Sequence, residues 1–360
     1  MPEPKTYPVN PSSIPLFYPA VSKNYLLKSN DIRVADVWPF LSYTIKVAKH
    51  NKNPLKVEER NFLLNLLEQA EYFFNTASRA PIKSQPLLYY YSFMNLAKVA
   101  INLDSYLGNG QKYNHGISDS ISLTTKLSNA ELTLWKSKPN SHSVSECLLK
   151  MLEDKPLAYV RNRSGYSINV RVQDLLRDCV GISKTYCEIY NCSPVFYKLT
   201  DIRVYAKARK MYFEDCVCDC DDNIMAALVA RGYTITKVAD NNYVLSANCS
   251  VRTTSNPTIA EKHTLSKRLR DIGVWSYSDG DSYKLYISSV ADNLSSAAVI
   301  YHIMFFFGSI TRYHPDLFDE IISAKENWLV SEFLKTQPIQ FLYYMVSRIN
   351  GSEILMSKQV

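Results

Sequence analysis

The sequence predicts an α+β protein that is predominantly α-helical. Helical hydrophobic periodicity dominates the first and last parts of the chain, whereas alternating, strand-like segments fill much of residues 194–289. At 360 residues the chain exceeds the ~250–300 residues at which one hydrophobic core usually stops growing. The length therefore favours two structural units, or one unit that carries a large insertion.

The composition excludes several classes of protein. Hydrophobic residues make up 46% and charged residues 21%, which is unlike a disordered chain. Neither a G-x-G-x-x-G nor a G-x-x-x-x-G-K-[ST] motif occurs, so no dinucleotide fingerprint and no P-loop is predicted. The net charge of +7 permits a nucleic-acid partner, but the basic residues are interspersed rather than gathered in a dense stripe.

The N-terminus and the cysteines indicate a cytoplasmic protein. Residues 1–30 are rich in proline, lack the pattern of a signal peptide and predict an extended arm. No apolar run reaches the ~20 residues of a membrane helix, so no membrane partner is expected. The eight cysteines are interpreted as reduced thiols. Cys216, Cys218 and Cys220 alternate as on a strand, and neither a metal site nor a cofactor is predicted.

The first helices follow from hydrophobic spacing. Residues 31–50 predict a helix capped by Asp31 or Asp36 and broken at Pro39, and residues 57–77 predict a clear amphipathic helix. Residues 86–103 form the most informative segment because nearly every face is apolar, which is typical of a helix at the centre of a bundle. Its polar residues fall at helical spacing on one stripe: Tyr91, Asn95, Lys98 and Asn102.

The rest of the chain alternates between strand and helix signals. Residues 158–172 predict a β-hairpin around Gly165, and helices resume to about residue 191. A short helix ending near Gly232 lies among the strands of the middle region. From residue 294 the chain predicts a long apolar helix that breaks at Pro315, followed by three shorter helices, the last of them beginning at Pro338.

Two segments resemble the YaaC-like bacterial protein family. The first is PLLYYYSFMNLAKVAINL followed by NHGIS, and the second is FFFGSITRYHPDLFDEI. They cover about a third of the chain and occur in the family's order. The family brings no settled biochemical activity with it.

The same central helix, of the form Y-Y-x-x-x-N-x-A-K followed by a His-Gly loop, is similar to the HEPN helical fold. This resemblance implies a HEPN-like bundle made of residues 31–192 and 291–360, which a mixed α/β insertion at residues 193–290 interrupts. It also implies a component of stress or antiphage defence that binds a nucleotide, RNA or protein partner. The HEPN nuclease signature, in which four to six residues separate an arginine from a following histidine, occurs at none of the six histidines.

The polar residues on these helices predict a site. Arginine and lysine bind phosphate or carboxylate groups, and histidine exchanges protons near neutral pH. We therefore expect an anion- or ligand-binding cluster of Tyr91, Asn95, Lys98 and Arg312, with His115 and His314 as candidate catalytic residues.

Three alternatives remain open. The cluster can be structural, satisfying buried polar groups. It can belong to a metal-independent RNase or nucleotide-processing enzyme. The protein can also be a non-catalytic subunit that meets a protein partner or forms a homo-oligomer.

Overall fold

The computed structural model of the chain describes most of its residues. The described ranges are 7–9, 32–50, 53–104, 112–122, 124–152, 156–200, 203–207, 210–219, 224–239, 242–252, 271, 273–278, 283–290, 294–350 and 354–356. Apart from residues 7–9, the predicted N-terminal arm lies outside them.

Helices make up the larger part of the described structure, and the predicted α+β, mostly helical class is confirmed. The α-helices are α1 Val37–Val47, α2 Val57–Arg79, α3 Gln85–Asp104, α4 Val144–Met151, α5 Val172–Arg177, α6 Ser183–Tyr190, α7 Met225–Ala230, α8 Ser296–Tyr313, α9 Pro315–Ser323 and α10 Asn327–Asn350. None of these described helices is both long enough and apolar enough to cross a membrane.

The strands form small sheets around the helices and a larger sheet in the middle region. They are β1 Tyr7–Val9, β2 Ile32–Val34, β3 Lys49–His50, β4 Asn53–Pro54, β5 Tyr113–Asn114, β6 Ile117–Asp119, β7 Glu131–Trp135, β8 His142–Ser143, β9 Val160–Asn162, β10 Gly165–Arg171, β11 Phe196–Thr200, β12 Arg203–Lys207, β13 Lys210–Asp219, β14 Tyr233–Ala239, β15 Asn242–Arg252, β16 Val274–Ser278, β17 Tyr283–Ser288 and β18 Ile354–Met356.

The antiparallel sheet of the middle region combines strands from residues 196–288 with strand β1 from near the N-terminus. Its order is β1-β12-β13-β11-β17-β16, with β15 pairing β13 and β14 pairing β15. Cys216 and Cys218 lie on β13, as the alternation predicts, whereas Cys220 is outside the described residues. A second sheet, β6-β7-β10-β9, includes the predicted hairpin around Gly165. The proposed domain boundaries near residues 193 and 290 stay a prediction.

Helix α3 is the central element of the bundle, as its apolar faces predict. It packs against α2, α4, α8 and α10. Phe93 is fully buried, and its ring stacks on that of Phe341 from α10 at a centroid distance of 4.0 Å. Such stacked pairs add about 0.5–1.5 kcal/mol to the free energy gained from burial alone. Helices from the two ends of the chain therefore share one core.

Helices α3 and α8 pack closely together at Gly308. A β-carbon at this position would lie 3.2 Å from Cβ of Tyr90 and 3.3 Å from the carbonyl oxygen of Pro86. Because these contacts are tighter than ordinary van der Waals contacts, a side chain at position 308 would push the two helices apart. This close approach brings the C-terminal half of α8 against the first turns of α3.

Two helix predictions concerning proline need correction. Pro39 does not break α1, because the helix begins at Val37 and proline is tolerated in a first turn; Asp36 is the cap, and it accepts a hydrogen bond from the Trp38 amide. The division of the C-terminus before Pro338 is wrong. Helix α10 continues through Pro338, which is buried with its neighbour Gln337, so tertiary packing overrides the local helix-breaking tendency.

Candidate functional site

A cavity of about 260 Å³ lies between α3, α8 and the segment that carries β6. Its walls combine aromatic rings with hydroxyl groups, a histidine, a carboxylate and a guanidinium. The lining residues are Leu87, Tyr90, Tyr91, His115, Ile117, Ser118, Asp119, Phe305, Gly308, Ser309, Arg312 and Tyr313. Small-molecule sites typically enclose about 300–1,000 Å³, so this cavity suits a small ligand.

The backbone around His115 is held on several sides. Strand β5 pairs in parallel with β8, and the His115 carbonyl accepts a hydrogen bond of 3.3 Å from the Ser145 amide. Gly116 has a φ of +69°, and a β-carbon there would lie 1.7 Å from the Ser143 hydroxyl oxygen. Only glycine fits both the left-handed conformation and this contact. The local geometry therefore fixes where the His115 side chain begins.

The Tyr90 hydroxyl anchors the His115 ring. Tyr90 Oη lies 2.5 Å from His115 Nδ1, and Tyr90 itself is buried. Burial, followed by the neighbouring hydroxyl of Tyr301, raises the pKa of Tyr90 well above its ordinary value. The phenol therefore stays neutral at physiological pH. Among the described residues, nothing hydrogen-bonds Nε2 of His115, which leaves that nitrogen for solvent or a ligand.

The environment of His115 is electropositive. Desolvation, and then the positive charges of Lys98 and Arg312, lower the pKa of His115 below its ordinary value. The ring is therefore neutral at pH 7, although the residue keeps solvent access. Lys98 is half-buried, its Nζ lies 5.9 Å from the centre of the Tyr113 ring, and desolvation lowers its pKa. Two cations thus act on the same imidazole.

Arg312 is held by a phenol rather than by a carboxylate. Its Nη1 donates a hydrogen bond of 2.8 Å to Tyr91 Oη, and its guanidinium lies 4.9 Å from the centre of the Tyr313 ring. Within the described part of the chain, neither Arg312 nor Lys98 forms an ion pair with an acidic side chain. Their charges are therefore not neutralised by such a direct pair.

Asp119 supplies the one carboxylate among the residues lining this cavity. The Ser309 hydroxyl donates a hydrogen bond to its Oδ2. Asp119 ends β6, and Ser309 lies on α8, 190 residues later in the sequence. Sequence reasoning missed Tyr90, Asp119 and Ser309. Tyr90 lies among apolar residues of α3, and no local pattern signals a contact between positions 119 and 309.

The structure brings some of the predicted site residues together and separates others. Tyr91, His115 and Arg312 line the cavity, and Lys98 acts on His115 from nearby. Asn95 is buried and donates to Gln69 Oε1 of α2 at 3.3 Å. His314 lies at the junction of α8 and α9, where its amide bonds the Ile310 carbonyl and its carbonyl accepts from Phe318. Lys98, Asn95 and His314 are not among the lining residues.

A second histidine, hydrogen-bonded to a serine, lies deeper in the protein. His302 is fully buried, with Nδ1 2.6 Å from the Ala298 carbonyl and Nε2 2.7 Å from the Ser145 hydroxyl. Because a carbonyl only accepts, Nδ1 carries the proton and Nε2 accepts from Ser145. Burial lowers the pKa of His302 to about 4. Both nitrogens are satisfied, so this pair has no free group for a ligand.

Comparison with known proteins bears on the family. A family model described as YaaC-like protein matches residues 34–349, most of the chain. No curated protein and no solved structure is detectably similar to the chain. The likeness to the HEPN fold therefore stays a prediction. The match to the family model spans both segments that carry the YaaC-like resemblance, and the chain belongs to the YaaC-like family.

Proposed function

We propose that the cavity between α3 and α8 binds a small phosphate-bearing ligand of the nucleotide class. The observation that carries the proposal is that Arg312 and His115 line one cavity while the positive charges of Arg312 and Lys98 both act on His115, with neither cation paired to an acidic side chain among the described residues. A guanidinium held in place by Tyr91 is suited to bidentate contact with phosphate oxygens. An anion would neutralise the positive charge that Arg312 and Lys98 place near His115.

The remaining walls favour a nucleotide over a bare anion. The rings of Tyr91, Phe305 and Tyr313 line the cavity, and aromatic faces stack on any base. Leu87 and Ile117 add apolar surface. An inorganic anion would leave this apolar and aromatic surface unused, whereas a nucleotide uses both the charged and the aromatic walls.

Calorimetric titration of the full-length protein with AMP and with inorganic phosphate tests the proposal. AMP is expected to bind, and Arg312→Gln is expected to weaken AMP binding at least about tenfold, because a charge-assisted hydrogen bond is worth about 1.5–3 kcal/mol. Arg79→Gln is the matched control, since Arg79 is also an exposed arginine in the last turn of a long helix. Absence of AMP and phosphate binding at millimolar concentration would overturn the proposal.

Metal-independent phosphodiester cleavage is a second candidate function. His115 lines the cavity, and its Nε2 has no described partner. In the tautomer whose Nδ1 carries the proton and donates to Tyr90, Nε2 is suited to take a proton from an attacking ribose hydroxyl. His314 does not line the cavity, so the leaving oxygen has no second histidine as its acid, and this disfavours cleavage relative to binding. Incubation of RNA with the protein in EDTA tests it: products must form and must disappear in His115→Ala.

The same binding measurements distinguish a ligand-binding protein from the remaining alternative, a non-catalytic subunit of a complex. A non-catalytic subunit is expected to co-purify with a protein partner and to bind neither AMP nor phosphate. The stress or antiphage-defence role rests on the HEPN resemblance, and it predicts that cells carrying Arg312→Gln lose any phage protection that the unaltered protein gives.

A further inference from the structure

We infer that the cavity selects nucleoside monophosphates over di- and triphosphates, and that Asp119, positioned by Ser309, is the residue that selects. The inference rests on the proposed function and deepens it. It names the ligand's phosphate number and a second recognition element, neither of which follows from the cations alone.

The charge of the site favours a short phosphate group. Arg312 and Lys98 contribute two positive charges, Asp119 contributes one negative charge, and His115 is neutral. The sum is +1, rising to +2 if a bound phosphate draws a proton to His115. A monophosphate carries about −1.5 to −2 near neutral pH, which matches this charge. A triphosphate brings more negative charge than these groups can balance, in a cavity that the Asp119 carboxylate also lines.

Asp119 also offers an acceptor to the ligand. Its Oδ2 receives the Ser309 hydroxyl, whereas no described residue donates to Oδ1. A carboxylate is acceptor-only, so it repels phosphate and attracts hydroxyl or amino donors. The ribose hydroxyls of a nucleotide, or the amino group of a base, supply such donors. Asp119 therefore discriminates by attraction to one end of the ligand and by repulsion of extra phosphates.

The size of the cavity agrees with this selection. At about 260 Å³ it lies below the range of most small-molecule sites, and the helices α3 and α8 that wall it are packed closely together at Gly308. Each additional phosphate would have to fit into this volume or leave it through the mouth. Size and charge thus favour the same ligand class.

Calorimetry with AMP, ADP and ATP in the absence of Mg²⁺ tests the inference on the full-length protein. The expected order of affinity is AMP, then ADP, then ATP. In Asp119→Asn the ratio of the ATP dissociation constant to the AMP dissociation constant is expected to fall about tenfold, because the repulsion is removed while the shape is kept. Asp316→Asn, which removes an exposed carboxylate from the first turn of α9, is expected to leave the ratio unchanged.

Further results decide the matter. Ser309→Ala removes the hydroxyl that positions Asp119 but keeps the Asp119 charge, so the ratio of the ATP to the AMP dissociation constant is expected to fall, by less than in Asp119→Asn. Binding of ATP as tight as that of AMP in the unaltered protein, or an unchanged ratio in a folded Asp119→Asn, would overturn the inference while leaving the proposed function standing. Absence of binding by every nucleotide and by phosphate would overturn both.

Discussion

His302 lies within the helical bundle and His115 lies beside it, and each has a ring nitrogen hydrogen-bonded to a hydroxyl group, yet their exposure and remaining partners differ. His302 is fully buried and both its nitrogens have protein partners, Ser145 and the Ala298 carbonyl. His115 keeps solvent access. Its ring has one described hydrogen-bond partner, Tyr90, and the charges of two cations lower its pKa. Burial lowers both pKa values, but only His115 is left with an unused nitrogen at a cavity. The comparison separates a histidine that holds the fold from one that can hold a ligand.

Deleting each ring in turn gives the largest expected contrast. His302→Ala is expected to lower the free energy of unfolding by about 3 kcal/mol, because it leaves a cavity and an unpartnered Ser145 hydroxyl in the core. His115→Ala is expected to lower it by less than about 1 kcal/mol, since its site is open to water. Urea denaturation of both variants measures the difference. Equal losses would contradict the distinction between the two histidines.

The second-largest expected effect is a loss of stability in acid that is caused by the buried His302. The pKa of His302 is about 4 in the folded protein, against ~6.5 in an unfolded chain, so the unfolded state takes up the proton first as the pH falls. This contribution to stability is complete above pH ~6.5 and is lost progressively as the pH falls toward 4. Between pH 7 and pH 5 it amounts to about 2 kcal/mol.

Variants of the two histidines test this pH effect, with His115→Gln as the control for His302→Gln. Denaturation at pH 7 and pH 5 is expected to show a smaller loss in His302→Gln than in the unaltered protein, by that amount. His115→Gln is expected to keep most of the loss. If His302→Gln retained the full pH dependence, the acid sensitivity would belong to other groups.

The smallest expected effect is that of the Lys98 charge on the pKa of His115. Lys98→Met removes a positive charge that lowers the pKa of His115, so that pKa is expected to rise. Titration of the His115 ring followed by nuclear magnetic resonance measures the shift. Lys83→Met, which breaks an exposed ion pair with Asp319, is expected to leave the His115 titration unchanged. An unmoved pKa in Lys98→Met would place Lys98 outside the site.

Much of the helical fold was predictable because hydrophobic spacing reports directly on burial. The all-round apolar character of α3 correctly indicated the central helix, and Asp36 was one of two predicted caps for α1. The continuation of α10 through Pro338 was not predictable from local rules, since it depends on packing that surrounds the proline. Periodicity therefore locates helices better than it locates their ends.

The candidate site was predictable only in part. The charged and aromatic residues Tyr91, Lys98 and Arg312 stand out on otherwise apolar helices, and chemistry alone pointed to them. The stripe on α3 could not show that Asn95 bonds to α2 while the adjacent Tyr90 hydroxyl meets His115. The contact between Asp119 and Ser309 is long-range, and only the assembled topology produces it.

Gly116 makes the site recognisable from sequence. Its positive φ and the absence of room for a β-carbon beside Ser143 mean that the residue after His115 must be glycine if the loop is to keep this shape. Other chains of the family can therefore be grouped by the residue that follows the histidine corresponding to His115. Those with a His-Gly pair after the central helix, and an arginine near the end of the long apolar helix, can form the cavity. Chains with a bulky residue after that histidine would have to build the loop differently.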